Sequence, residues 1–179
     1  GKALQAGTSH NFGDKFSRAF DVTYLSKEGK LEYCYETSWG VSTRLIGGII
    51  MVHGDERGLK MPPRVAPVQA VILPIAAHKE GVLEGAQQIR NELEKAGIRV
   101  KLDDREGYSA GWKFNEWEMK GVPVRVEVGP RDLAQGVVTV CRRDTLEKFT
   151  LPIQGLAQAL TALMDQIHDH MYQTALKFM

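Results

Sequence analysis

Three prolines in six positions, Pro62, Pro63 and Pro67 of MPPRVAP, set the organisation of this chain. Proline fixes its own φ and has no amide N–H, so such a cluster can neither continue a helix nor sit in a central strand. The chain is therefore expected to change domain here, with residues 62–67 as the linker. Beyond it the pattern alternates between strand and helix. Val68 to Ala77 is an apolar run of buried parallel-strand type, Glu80 to Ala96 is amphipathic with Gly97 as its stop, and Ile98 to Leu102 is the next strand. A strand, a crossover helix and a strand make a right-handed βαβ unit. Val124 to Val128 and Val137 to Cys141 extend the sheet, and Leu156 to Met171 supplies another amphipathic helix. The expectation for residues 68–165 is a compact α/β domain with a mixed, largely parallel sheet.

Composition narrows the function classes. With 43% hydrophobic and 25% charged residues over 179 positions, the chain reads as globular and soluble. No apolar run approaches the roughly 18 to 20 residues needed to span a bilayer, and the first residues lack the basic-then-apolar order of an export signal. Cys34 and Cys141 stand far apart with no CxxC partner, which points to neither a disulfide framework nor a zinc site. The formal net charge of +1 announces no basic surplus, so any RNA contact must be made by individually placed groups. The chain opens on Gly1 and ends in a helical pattern at Met179 without a stop signal, and is expected to be a piece of something longer.

Before the linker, the stretch SWGVSTRLIGGIIMVHGDERGLKMPP, Ser38 to Pro63, has the marks of a site. Arg44 follows two hydroxyl residues and precedes Gly47-Gly48; arginine with glycines that admit a close ligand suits a phosphate or a stacked purine. Upstream, QAGTSH puts Gln5, Thr8 and His10 on what is read as one face of an extended strand, beside the small Ala6 and Gly7. Phe12 to Phe20 reads as a short structural helix, and Asp21 to Tyr24 and Leu31 to Glu36 as a hairpin whose Tyr33 and Tyr35 are expected to pack in the core. Leu45 to Val52 is expected to be a buried helix. His53 and Asp55 at their spacing fall short of a metal site.

In the second half the distinctive text is DDREGYSAGWKFNEWEMKGVPVRVEVGPRDL, Asp103 to Leu133. Lys113 to Lys120 reads as a short helix whose Phe114 and Trp117 dock on the sheet or, alternatively, serve recognition of unpaired bases, which uses placed polar groups with aromatic or arginine stacking.

Four phrases, QAGTSH, SWGVSTR, MVHGDERGLKMPP and GWKFNEWEMKGVPVRVEVGPRD, stand in an order and spacing that closely resemble the prolyl-tRNA synthetases of the archaeal and eukaryote-like type, and SWGVSTR resembles motif 3 of the class II aminoacyl-tRNA synthetases. The resemblance covers essentially the whole chain. It implies that residues 1–61 are the distal part of a class II antiparallel-sheet catalytic domain, 68–165 an anticodon-binding domain, and 166–179 the start of a C-terminal helical extension. It implies ATP contacts at Gln5, Thr8, Ser42 and Arg44, with Arg44 also catalytic, and proline contacts at His10 and Trp39. A tRNA-contacting role is carried to Arg105, Lys113, Glu118, Lys120 and Arg131. ATP with Mg2+, L-proline, tRNA(Pro), a cytoplasmic setting and a homodimeric parent are further implications, with no metal held by the chain's own residues. Motifs 1 and 2 of the family have no counterpart here, so the chain alone is expected to lack useful adenylation activity. A non-catalytic RNA-binding or regulatory protein built from the same two pieces is the alternative.

Overall fold

The computed structural model describes residues 3–178; the expected outer limits at Gly1 and Met179 lie outside them. Contacts divide the chain into two units, one ending at Met51 and the other beginning at Val52.

The first unit is built from two small antiparallel ribbons. Strand β1 (Gly7–Gly13) pairs with β4 (Glu36–Val41), and β2 (Thr23–Leu25) pairs with β3 (Leu31–Tyr33) through a turn in which Gly29 takes φ +74°. Helix α1 (Lys15–Phe20) links the ribbons. It is pinned by Ser17, whose hydroxyl donates to the Cys34 carbonyl oxygen at 2.5 Å, and it ends at Asp21 in the left-handed region. Helix α2 (Arg44–His53) follows β4. Two expectations fail here. None of the α2 residues is buried, and Tyr35 lies outside the strands and is 81% exposed. The two go together: apart from Ser17, none of the described residues as far as Met51 is buried within this 179-residue chain.

The second unit is an α/β sandwich around a five-stranded mixed sheet of order β6-β5-β7-β8-β9. Its elements are β5 (Ala70–Pro74), α3 (Val82–Lys95), β6 (Val100–Leu102), α4 (Ala110–Met119), β7 (Val124–Val128), α5 (Pro130–Ala134), β8 (Val137–Arg142), β9 (Lys148–Pro152) and α6 (Leu156–Phe178). Strand β5 runs parallel to β6 and β7, whereas β7, β8 and β9 are antiparallel. The alternation of side chains sorts the sheet into two faces. Ala70, Ile72, Val124, Val126 and Val128 join α3 and α6 in the main core, while Val71 and Leu73 meet Trp117 and Val122 on the face covered by α4. Trp117 thus docks on the sheet, and Phe114 packs against the same cluster. Among the described residues no helix is long and apolar enough to cross a membrane.

The division falls ten residues before the proline cluster for a reason of hydrogen bonding. Leu59 N–H donates to the Met119 carbonyl and Met61 N–H to that of Gly121, so the stretch after α2 belongs with the sheet unit. Gly121 takes φ +74° so that its chain can come this close; a Cβ there would stand 2.6 Å from the Leu59 carbonyl oxygen. No break separates 165 from 166: α6 is one helix whose inward row runs from Leu156 to Met171.

Candidate functional site

In the first unit, a hollow of about 260 Å³ lies at the open end of the β1–β4 ribbon, lined by Gln5, Thr8, Gly40, Ser42 and Arg44 among others. Arg44 reaches back across 39 positions, its Nη1 donating to Gln5 Oε1 at 3.0 Å and to the Gln5 carbonyl at 3.5 Å. The Ser42 hydroxyl accepts from the Arg44 amide at 3.3 Å and fixes the turn from β4 into α2. Among the described residues Arg44 joins no salt bridge, so a planar, permanently charged donor stands over the hollow with only a neutral amide beside it. That leaves its charge available to an anionic ligand.

The strand register decides which other residues share this face. Thr8 pairs with Gly40 and His10 with Ser38, so Thr8 and His10 project to one side of the ribbon. Gln5 precedes β1 and reaches the hollow from outside the alternation. The ring of His10 stacks on that of Phe12, centre to centre 5.4 Å and planes 8° apart. Trp39 pairs with Ser9 and therefore projects to the opposite side, 80% exposed. The structure brings Gln5, Thr8, Ser42 and Arg44 together at the hollow; His10 shares the side of the ribbon with Thr8 but does not line the hollow. Nor does the structure bring Trp39 to the hollow, because an odd spacing along one strand reverses the side-chain direction.

In the second unit, four of the five expected tRNA-contacting residues lie on or near α4 and Arg131 lies on α5, and the structure gives most of their charges protein partners. Asp103, with its side chain 1% exposed, is the hub. Its carboxylate accepts from Arg105 Nε at 2.8 Å and Nη2 at 2.7 Å and from Trp117 Nε1 at 2.8 Å, and its carbonyl accepts from Lys113 Nζ at 3.1 Å. Burial works against the Asp103 charge, yet these donors outweigh it and hold the carboxyl well below the usual carboxylate range. Lys113 is itself buried, so it supports Asp103 and is closed to solvent.

Glu118 is similarly engaged, accepting from Arg125 Nη1 at 2.7 Å and from Arg57 Nη1 at 3.3 Å. Arg125 in turn pairs with Glu127, which also receives Lys148 Nζ at 2.7 Å, forming a charged ladder beneath Phe114 on the α4 side of the sheet. The groups left open are Lys120, half-exposed beside Glu116 and 4.7 Å from the Trp117 ring centre, and Arg131 on α5, exposed and in no salt bridge among the described residues. Arg105 is pinned by Asp103 and Glu116 with its side chain 40% exposed.

Sequence reasoning missed Asp103, and it missed the stacked pair Tyr108 and Trp112 next to Arg105. The available signal for the pair was two aromatics four apart at a helix start, with Ser109 as the cap that receives the Trp112 amide. His53 and Asp55 do not converge on a metal site. Asp55 is held by Arg143 and Lys60, burial beside His168 pushes the His53 pKa down, and no group of three or more metal-ligating side chains occurs among the described residues.

Residues 69–163 match the family model described as "Anticodon binding domain". The chain is 57% identical over 177 residues to a protein named Proline--tRNA ligase 2 from Clostridioides difficile (strain 630), a match that covers 99% of this chain and 37% of that protein. It is 57% identical over 175 residues to a Proline--tRNA ligase from Acetoanaerobium sticklandii, covering 98% and 36%. To a Proline--tRNA ligase 2 from Bacillus cereus the identity is 54% over 178 residues, covering 99% and 37%. The chain thus spans a little over a third of the length of the curated relatives it matches.

Proposed function

Since the chain belongs to the anticodon-binding-domain family, we propose that it works as part of a proline--tRNA ligase, joining L-proline to its cognate tRNA through a prolyl-adenylate at the expense of ATP. The observation that carries this reading is the meeting of Gln5, Thr8, Ser42 and Arg44 at one hollow in the first unit. The names of the relatives support the choice of amino acid. Residues before the linker are, in this reading, the distal part of a class II catalytic domain.

Adenylate formation is attack by a proline carboxylate oxygen on the α-phosphorus of ATP: one P–O bond forms, another breaks, and pyrophosphate leaves. Negative charge gathers on the phosphate oxygens, and a fixed donor aimed at them lowers the barrier. Arg44 is that donor here, able to fork onto phosphate oxygens or to lie against the adenine ring. Gln5 orients it through the 3.0 Å bond, and the Thr8 and Ser42 hydroxyls offer further donors at the rim. His10, on the same face, is the contact for the proline. Trp39 projects from the other side of the ribbon and, like His10, lies outside the lining of this hollow, so as a proline contact it would act from beyond it. Mg2+ would travel with the ATP phosphates, which is its usual mode of binding. The sheet unit would hold the anticodon end of tRNA(Pro) through Lys120, Arg131 and Arg105, with Lys113 and Glu118 acting from within. A cytoplasmic setting and a homodimeric whole protein belong to the same reading.

The test is proline-dependent exchange of pyrophosphate into ATP, together with charging of tRNA(Pro), measured on the whole gene product and its Arg44→Ala variant. The variant is expected to lose exchange roughly a hundredfold or more while keeping its tRNA affinity. The 179-residue chain alone is expected to show background exchange. A whole protein that activates a different amino acid, or none, overturns the proposal.

A further inference from the structure

Tyr108 and Trp112 stack on each other, their ring centres 4.1 Å apart and their planes 22° from parallel. They do so outside both hydrophobic clusters and remain 49% and 44% exposed. Aromatic rings this open forgo nearly half of the burial that makes such side chains stabilising. Arg105 completes the group. Its guanidinium carbon lies 5.3 Å from one ring centre and 5.4 Å from the other. Being nearly equidistant from two rings 4.1 Å apart, it sits beside the stack and does not cap either end. Asp103 and Glu116 hold Nε and Nη2, so the guanidinium is fixed in place, while Nη1 takes part in none of those bonds.

A rigid two-ring step with an immobilised cation alongside has the chemistry of a single-strand nucleic-acid seat: a π-face that any base can extend, and a donor for the adjoining phosphate or base edge. We infer that the outer face of the Tyr108–Trp112 stack receives one unpaired base of a bound RNA, with Arg105 Nη1 donating to that nucleotide. The inference rests on the tRNA-binding reading above and names the surface that takes an unstacked base. Lys120 lies on the same band, joined to Arg105 through Glu116, and supplies a second cation for the backbone.

The test titrates the chain with two probes. One is tRNA(Pro) carrying 2-aminopurine in its anticodon loop, compared with an unrelated tRNA; the other is an unstructured oligouridylate. Trp112→Ala is expected to weaken binding of both probes by roughly five- to a hundredfold, to abolish the change in 2-aminopurine emission, and to leave the salt dependence of binding unaltered because no charge is lost. Trp112→Phe should restore most of the affinity. Tyr108→Leu, which keeps apolar bulk without a π-face, should behave like Trp112→Ala and decides the matter if the alanine variant does not fold. Variants that bind both probes as the wild type does overturn the inference and leave the tRNA reading intact. Oligouridylate binding that depends on Trp112, without preference for tRNA(Pro), supports the seat and removes the tRNA(Pro) reading. A wild-type chain that binds neither probe removes both.

Discussion

Arg143 and Asp55, 88 positions apart, meet in a two-pronged ion pair, Nη1 to Oδ2 at 2.9 Å and Nη2 to Oδ1 at 2.7 Å. The Arg143 side chain is 3% exposed, and its Nε donates to the Glu118 carbonyl at 2.8 Å. One guanidinium therefore ties the stretch after α2 to the end of α4 and to the turn after β8. Removing Asp55 leaves the nearly enclosed Arg143 guanidinium without its counterion, which is costlier than never having built the pair, whereas removing Arg143 leaves Asp55 partly exposed and still beside Lys60. Asp55→Asn is expected to lower unfolding stability by about 3 kcal/mol, because it strands the enclosed Arg143. Arg143→Ala leaves Asp55 beside Lys60, and its cost of about 1–3 kcal/mol comes from the hydrogen bonds lost at Asp55 and the Glu118 carbonyl. Urea denaturation followed by far-UV circular dichroism checks this; midpoints equal to the wild type would refute it.

Acid should weaken the second unit in a defined window. Arg143, Lys60 and the Arg57 amide hold the Asp55 carboxyl below its ordinary value of 3.8, and Asp103 is held low against its own burial by Arg105, Trp117 and Lys113. A carboxyl whose folded pKa is depressed binds its proton more readily in the unfolded chain. Its contribution is complete above the unfolded pKa and is lost as pH falls through and below about 4. Denaturation midpoints should be flat from neutral pH to about 5 and fall steeply below about 4. Asp103→Asn should flatten that fall; an unchanged slope would show that these carboxyls do not govern it.

Two lysines on one helix should separate cleanly. Lys113 is enclosed and supports the Asp103 carbonyl, so Lys113→Ala is expected to cost about 1–3 kcal/mol of stability. Lys120 is half-exposed and makes a surface pair with Glu116 and a contact with the Trp117 ring, so Lys120→Ala should cost no more than about 1 kcal/mol. In the proposed role it lowers the slope of log affinity for tRNA against log salt by about 1. Thermal melts alongside salt-dependent binding read both; a larger stability loss for Lys120 than for Lys113 would reverse the assignment.

Gly121 and Gly107 share a left-handed backbone, φ +74° and +80°, but not their surroundings. A Cβ at Gly121 would sit 2.6 Å from the Leu59 carbonyl oxygen, whereas one at Gly107 meets nothing within 4 Å. Gly107→Ala should therefore cost about 1–2 kcal/mol of backbone strain, and Gly121→Ala should cost more, since the carbonyl belongs to rigid backbone. Equal losses in a denaturant titration would show that the packing against Leu59 yields easily.

The sheet unit was largely legible in the sequence because its signals are local. Val124 to Val128 stands as β7 with the expected ends, and the amphipathic rows of α3 and α6 carry the expected buried faces. Where a residue's place depends on pairing with a distant segment, the sequence is silent. The β1–β4 register, which turns Trp39 away from Thr8 and His10, is of this kind. So is the ion pair that draws Asp55 to the sheet unit and moves the division ahead of the prolines. At the hollow, the residue types at Gln5, Thr8, Ser42 and Arg44 carried the reading, but the Arg44–Gln5 bond depends on a 39-residue loop closing. On α4, the sequence offered charges, and only the three-dimensional arrangement distinguishes those already spoken for from those still open.

The near absence of buried side chains before Val52 gives this molecule two rates of breathing. Backbone protons of the β1–β4 ribbon, shielded by little more than their own hydrogen bonds, can reach deuterium through small local openings. Those of β5 and β7, walled by helices on both faces of the sheet, must await the collapse of the whole second unit.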